Sequence, residues 1–230
     1  MSLPSQHTIT CGGCGRRQAF TMWDSLNVSL NRDLKAELLR GELTRFVCAG
    51  CGWSGDVFYP MLYHDMEQKV MIHLCAPQGE PESLGSGGLP QMERFLEGYR
   101  FRLVNTRNEL REKILIFDAG LDDGLLECLK CFMRAQMAGC NRPLAGELLF
   151  AGTSEAPGGG RVIRLEHLTA GVTETVDLPL AALTEVGGYV AGRLPTAGSD
   201  ARKWLRVDAD YAGALIGSVR EDEAADGGST

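Results

Sequence analysis

The sequence predicts an α+β fold, and three observations predict it. Two CxxCG turns sit among short strand-like runs in the first 60 residues, two amphipathic helical stretches follow residue 105, and three alternating runs lie beyond residue 146. Apolar residues make up 44% of the 230 and charged residues 23%, ordinary globular usage that lets the chain bury a core. No run approaches the roughly 20 uncharged apolar residues that a membrane helix needs. The first ten residues have neither the basic nor the apolar segment of a secretory leader. The expectation is a cytoplasmic protein with no membrane contact. In a reducing compartment the eight cysteines are not expected as disulfides and need another explanation.

Taken in order, Gln18 to Trp23 and Ser25 to Leu30 alternate polar and apolar, as half-buried strands do. Asn31 is placed to cap a short helix through Arg40, with Leu34 and Leu38 on one face and Gly41 to end it. Arg45 to Cys48 and Asp56 to Tyr59 are strand-like flanks of the second turn, and Val70 to Leu74 is a further strand of the same sheet. Residues 76–91, with three prolines and four glycines, read as a linker or long loop. Tyr99 to Val104 alternates as a strand. Thr106 and Glu109 then have the spacing of a capping box, opening a helix that presents Leu110, Ile114 and Phe117 and closes at Gly120. Asp122 is placed to cap a second helix with the stripe Leu125, Cys128, Leu129 and Phe132, stopped by Gly139.

Glu147 to Ala151, Arg161 to Leu168 and Thr173 to Leu178 read as an antiparallel meander whose first hairpin loop is residues 154–160. Trp204 to Val207 reads as an added strand and Asp210 to Gly217 as a short helix. The end is acidic and without large apolar residues, the composition of a disordered tail. The expected organisation is a metal-organised β module at 1–75, the linker at 76–91, a strand plus two helices at 92–140, a meander with a short helix at 141–217, and the tail at 218–230.

The strongest chemical signal is the pair Cys11-Gly-Gly-Cys14-Gly15 and Cys48-Ala-Gly-Cys51-Gly52. Two residues between cysteines let both thiolates face one ion while the intervening amides face the sulfurs, and the following glycine permits the left-handed backbone that completes the turn. Two such turns supply four soft ligands, Cys11, Cys14, Cys48 and Cys51, a closed tetrahedral site for one structural zinc in a zinc-ribbon-like module. Rubredoxin-type iron is built from the same turns and stands as the rival reading. A redox dithiol would need a single such pair at a helix start. With four protein ligands no position is open for water, so the ion's role is to organise a segment too poor in core residues to fold alone.

The remaining candidates read two ways each. Cys128 and Cys131 lie on a helix without the glycine of a knuckle turn; they read as core, the alternative being a second metal site with Cys140 and either Cys75 or His73. His64, beside Asp65 and Glu67, reads as a general base or as a surface residue in a turn that Asp65 caps. Arg16, Arg17, Arg32, Lys35, Arg40, Arg45 and Trp53 read as solvated surface or as a basic and aromatic binding face. Net charge is −7, and only residues 1–60, with six basic against five acidic side chains, are not acidic overall. That balance argues against nonspecific nucleic-acid affinity. No nucleophile elbow, P-loop or dinucleotide fingerprint is present, so enzyme chemistry has little support.

The runs TITCGGCG at 8–15, WDSLNVSL at 23–30, FVCAGCG at 46–52, YPMLYHDME at 59–67, RFRLV at 100–104 and NELREKILIFDAGLDD at 108–123 resemble the CpXC proteins, a bacterial and archaeal family with two CxxC pairs. The resemblance covers roughly residues 8–135. It departs from the family pattern at Gly12 and Ala49, where that pattern has a proline after the first cysteine of each pair. It implies a zinc-ribbon-like β domain with an appended helical part and supplies no reaction. It also marks Tyr63 to Glu67, and Glu112-Lys113 to Asp123, as stretches typical of the family, either an interface between ribbon and helices or a further site. The functional expectation is a zinc-binding interaction or adaptor protein with a protein partner. Its possible interaction face comprises Arg16, Arg17, Trp53, Tyr63, His64, Asp65 and Glu67. The alternatives are a nucleic-acid or transcription-associated zinc ribbon, and an iron electron-transfer protein or other enzyme.

Overall fold

A computed structural model describes residues 1–75, 96–194 and 204–226, with residues 220–226 described as backbone. The expected linker at 76–91 lies outside the described residues. These residues fall into two compact units, one running up to residue 111 and including Trp204, the other formed by residues 112–194 and 205–226. No helix among the described residues is long and apolar enough to cross a membrane.

The first unit is built on a five-stranded sheet in the order β1-β2-β5-β6-β7, formed by β1 (Leu3–Thr10), β2 (Arg17–Asn27), β5 (Met61–Asp65), β6 (Val70–Leu74) and β7 (Arg100–Val104). β1 and β2 form an antiparallel hairpin whose turn is the first cysteine pair, with Thr10 opposite Arg17. β2 pairs parallel with β5, β5 antiparallel with β6, and β6 parallel with β7. Strict alternation on β5 and β6 buries Met61, Tyr63, Val70, Ile72 and Leu74 on one face. Between β2 and β5 lie α1 (Arg32–Leu39), a 3₁₀ turn at Glu42–Thr44, and the small antiparallel pair β3 (Arg45–Val47) and β4 (Ser54–Asp56), joined by the second cysteine pair. Gly41, at φ 75°, ends α1 in the left-handed conformation.

Three expectations are corrected here. Residues 18–30 do not form two strands: one strand runs through Asp24 to Asn27. The second flank of the knuckle is Ser54–Asp56 rather than Asp56 to Tyr59, because Tyr59 turns inward to donate its hydroxyl to the Leu43 carbonyl. Tyr63, His64 and Asp65 belong to β5, and the turn follows them at 66–69, with Lys69 at φ 53°.

The second unit carries α3 (Asp123–Gly139), the meander β10-β9-β8 and two later helices. The meander strands are β8 (Glu147–Glu155), β9 (Arg161–Thr169) and β10 (Val172–Pro179). β8 and β9 shift register between Phe150 and Gly152, a bulge eased by the glycine. The helix leading in, α2 (Arg107–Asp118), starts as expected: the Thr106 hydroxyl accepts the Glu109 N–H at 3.1 Å. The Glu109 carboxylate reaches back to the Asn105 N–H at 2.7 Å. It ends at Gly120, φ 70°, with the Leu121 N–H bonded to the Ile116 carbonyl and the Gly120 N–H to that of Phe117, the paired bonds of a Schellman close. Asp122 caps α3 by accepting the Leu125 N–H at 3.0 Å.

α3 ends at Gly139, as expected, but the glycine is not the left-handed residue that closes it. The same paired close occurs two residues on, with Asn141 at φ 54° and the Arg142 N–H bonded to the Met137 carbonyl. Asparagine tolerates that conformation, so Asn141 closes the helix whose last residue is the glycine. The unforeseen α4 (Ala181–Tyr189) contains Gly187 and Gly188, poor helix formers, yet it buries Leu183 and Val186 and sets Tyr189 edge-on to Phe132. Packing overrode propensity there. Trp204 to Val207 is not a strand, and α5 (Ala209–Asp226) continues past Gly217 into the residues expected as a disordered tail.

Candidate metal centre

The two cysteine turns are near copies. In the first, the Gly15 N–H donates to the Cys11 carbonyl and the Cys11 N–H to the Arg16 carbonyl, both at 2.9 Å. In the second, Gly52 donates to Cys48 at 2.9 Å and Cys48 to Trp53 at 2.8 Å. Gly15 and Gly52 both have φ 72°, the left-handed value the turn requires. One amide in each turn points at a sulfur: Gly13 N–H to Cys11 Sγ at 3.3 Å and Gly50 N–H to Cys48 Sγ at 3.4 Å.

The turns face each other and bring Cys11, Cys14, Cys48 and Cys51 together with every sulfur within 4.8 Å of the others. Cys11 Sγ lies 3.6 Å from Cys51 Sγ, and Cys14 Sγ 3.7 Å from Cys48 Sγ. These separations are far beyond a disulfide bond. They match a tetrahedron: an ion about 2.3 Å from each of four thiolates sets the sulfurs about 3.8 Å apart. The four-cysteine cluster fits a metal ion.

Its electrostatics are compatible with a cation. The backbone N–H groups of Cys51 and Gly50 hold the Cys48 thiol down to about 6, against the effect of burial. The Trp53 N–H pulls the Cys51 thiol the same way, but it is outweighed by Cys14, burial, Cys11 and Cys48, which push that thiol up to about 12. One sulfur favours the thiolate while its neighbour keeps a proton, because adjoining negative sulfurs repel without a positive ion between them.

The surroundings explain the glycines. Cys11, Cys48 and Phe46 form a small buried cluster with Ile9, Phe20 and Val57 against it. Trp53 covers the first knuckle: a Cβ on Gly13 would lie 3.1 Å from its Cβ, and one on Gly55 2.5 Å from its ring. Arg16 crosses the second knuckle, 3.0 Å from where a Gly50 Cβ would stand. Thus the residue after each knuckle glycine lies over the opposite turn. Gln18, which sequence reasoning passed over, braces the second knuckle by donating to the Val47 carbonyl at 3.0 Å and accepting the Ala49 N–H at 2.8 Å. A polar residue at the start of β2 carried no signal for this; only the fold brings it to residues 47–49.

The seven residues of the expected interaction face are not brought together. Arg16, Arg17 and Trp53, the last 44% exposed, lie at the knuckle end of β2. His64 pairs with Asn27 at the other end of that eleven-residue strand, roughly 30 Å away at about 3.3 Å per residue. Tyr63 and Asp65 are buried, 1% and 5% exposed, and leave the face altogether. Asp65 caps its turn by accepting the Glu67 and Gln68 N–H groups, each at 3.0 Å, and pairs with Lys35 at 3.2 Å. Burial raises its pKa, but the Gln68 N–H, Lys35 and Tyr63 together hold it below the ordinary aspartate value.

His64 is half-buried, 3.2 Å from the Tyr99 hydroxyl, and burial lowers its pKa, so it is packed rather than on the surface. Glu67 is exposed and paired with Arg32 at 2.8 Å. Among the described residues only the four cysteines are grouped to share an ion. Cys128 is fully buried, its thiol pushed up to about 11 by burial; Cys131 donates to the Ala209 carbonyl, and Cys140 is exposed at the end of α3.

Within the second unit the stretch at 112–123 and the middle of α3 form a buried ion network. Lys113 lies 3.2 Å from Asp123 and 3.5 Å from Glu127; Lys130 lies 2.7 Å from Glu112 and 2.9 Å from Glu127. All five are buried. Glu112 also accepts the Phe150 N–H, and Lys113 donates to the Val207 carbonyl. The signal was present: Lys113 occupies the i+3 position of the Leu110, Ile114, Phe117 face, and Asp123, Leu126, Glu127 and Lys130 keep the spacing of a buried stripe.

A family model described as CpXC protein matches residues 9–130, more than half of the chain. No curated protein and no solved structure matches.

Proposed function

The chain belongs to the CpXC protein family, and on that premise we propose that it is a zinc-organised interaction module rather than an enzyme. The observation that carries the reading is the four-sulfur cluster with edges of 3.6 and 3.7 Å, which suits one tetrahedral ion and leaves it no open position. Such an ion, when bound, supplies positive charge that ties the two knuckles together. The residues of this chain do the rest: Gly13 and Gly50 N–H groups face the sulfurs, Gln18 fixes the second turn, and Trp53 covers the first.

Trp53 and Arg16 beside the knuckles are residue types enriched at the centres of protein interfaces. They support a protein partner at this end. The same pair favours a second reading, since an exposed indole and an arginine at one end of the unit can also take up unpaired bases; the net charge of −7 holds that reading in second place. Elemental analysis with an absorption spectrum, on protein purified without added metal, tests the zinc assignment. One zinc per chain and no visible colour is the expected result. Iron with charge-transfer bands would replace zinc by an electron-transfer centre, and absence of any metal would overturn the reading. A salt-sensitive gel shift with single-stranded DNA, abolished in Trp53→Ser, would move the function to nucleic acid.

A further inference from the structure

The first unit contains a cleft of about 370 Å³, within the roughly 300–1,000 Å³ range of small-molecule sites. Its lining is of two kinds. Leu38 and Leu39 from α1 and Leu110 from α2 supply apolar surface, whereas Arg40, Arg45, Arg107 and Arg111 supply four guanidinium groups. One carboxylate, Asp56, lines it with them. In a chain of net charge −7 this is a local excess of positive charge, concentrated where a concave wall strengthens its field.

The arginines differ in what holds them. Arg40 is clamped from outside the lining by Glu42, at 2.7 and 2.9 Å. Arg107 is oriented by Thr44, whose hydroxyl accepts one guanidinium nitrogen at 2.7 Å, and by Asp56, 2.9 Å from another. Arg45 and Arg111 are exposed. Asp56 therefore stands as an internal anion on one edge of a positioned guanidinium. That planar fork is the geometry that selects carboxylate or phosphate oxygens.

We propose that this cleft binds a small organic oxyanion, a phosphate ester or a carboxylate carried on a compact apolar body. Arg107, Arg45 and Arg111 hold its charged head, and Leu38, Leu39 and Leu110 contact its body. Asp56 competes for the same guanidinium, so it sets the affinity from the opposite side. The site is separate from the cysteine cluster and needs no metal chemistry.

The test is an amide-resolved NMR titration of the purified, metal-loaded protein with phenyl phosphate, benzoate and inorganic phosphate. Saturable shifts at residues 38–45 and 107–111 are expected with phenyl phosphate or benzoate, and the tighter of the two names the head group. Arg45→Gln and Arg111→Gln, both at exposed positions, are each expected to weaken binding roughly tenfold, the loss of one charged hydrogen bond. Asp56→Asn is expected to tighten it, with an otherwise unchanged spectrum as the control for folding. Absence of saturable binding to either organic anion would overturn the proposal, as would affinity unchanged in both glutamine variants. Inorganic phosphate binding as well as phenyl phosphate would overturn the role of the leucines.

Discussion

The knuckles of the first unit and the ion network of the second both concentrate groups that repel one another, and they resolve the repulsion in opposite ways. At the knuckles four sulfurs meet within 4.8 Å with Cys14 and Cys51 open to solvent, so the compensating charge can enter from outside. In the second unit Glu112, Asp123 and Glu127 are buried with Lys113 and Lys130, and the chain supplies its own counter-charges. On the proposed reading, the first arrangement makes local order conditional on an ion. The second makes it conditional on every partner being present, because a buried charge left alone costs far more than a pair gains.

The largest effect should come from the first arrangement. Cys14→Ser, or stripping with a strong chelator, is expected to abolish metal binding and disorder residues 8–58 while the second unit keeps its helices. Structural zinc carries on the order of 10 kcal/mol or more of apparent binding energy. Amide exchange resolved by residue measures this, and a Cys14→Ser protein that retains metal and protected knuckle amides would break the contrast.

Next in size, Lys130→Met should destabilise the second unit by about 3–5 kcal/mol, because Glu112 and Glu127 both lose a partner at under 3 Å. Adding Glu112→Gln to it should recover part of the loss. Urea unfolding of the two variants reads the difference, and strictly additive losses would show that the network is not coupled.

Acidification sharpens the comparison because the signs differ. His64 and His73 are held below the ordinary histidine value of 6.5 by burial, so their contribution is complete above pH 6.5 and is lost as the pH falls through their lowered values. Asp65, held below 3.8, has the same sign at lower pH. Glu112 is raised above 4.5 by burial, against the pull of Lys130; it favours the folded state when protonated and withdraws stability as the pH rises through its folded value. Amide protection factors at pH 7 and pH 5 should therefore fall in the first unit relative to the second. An equal change in both would contradict these signs.

The smallest effects test single turns. Gly52→Ala forces φ 72° on an L-residue and should cost about 1 kcal/mol in the first unit. Asp122→Ala removes the cap of α3 and should cost about 1 kcal/mol in the second. Thermal unfolding with and without chelator separates them, since only the Gly52 change should vanish when the metal does.

Much of this was legible in the chain itself, and what was legible was local. The two cysteine turns, the cap at Asp122, the terminators Gly41 and Gly120 and the alternation of β6 all depend on residues within a few positions of one another. Errors arose where distant partners decide. Tyr63 to Glu67 looks like a polar turn in isolation, but the pairing of β5 with β2 and β6 draws Tyr63 and Asp65 inside.

The sequence by itself determined the four-cysteine cluster that could hold a metal, because cysteine spacing and the left-handed glycine are properties of a five-residue turn. The tertiary structure alone decided where the charges went. Glu112, Lys113 and Lys130 look solvated by composition, and only the meeting of α2 and α3 within the second unit lets them neutralise one another in the interior. Likewise Arg107 is remote along the chain from the hairpin pair Arg45 and Asp56 and meets Asp56 only after folding. A helical spacing can place a charge on a buried face, but which partner neutralises it is set by what surrounds it in three dimensions.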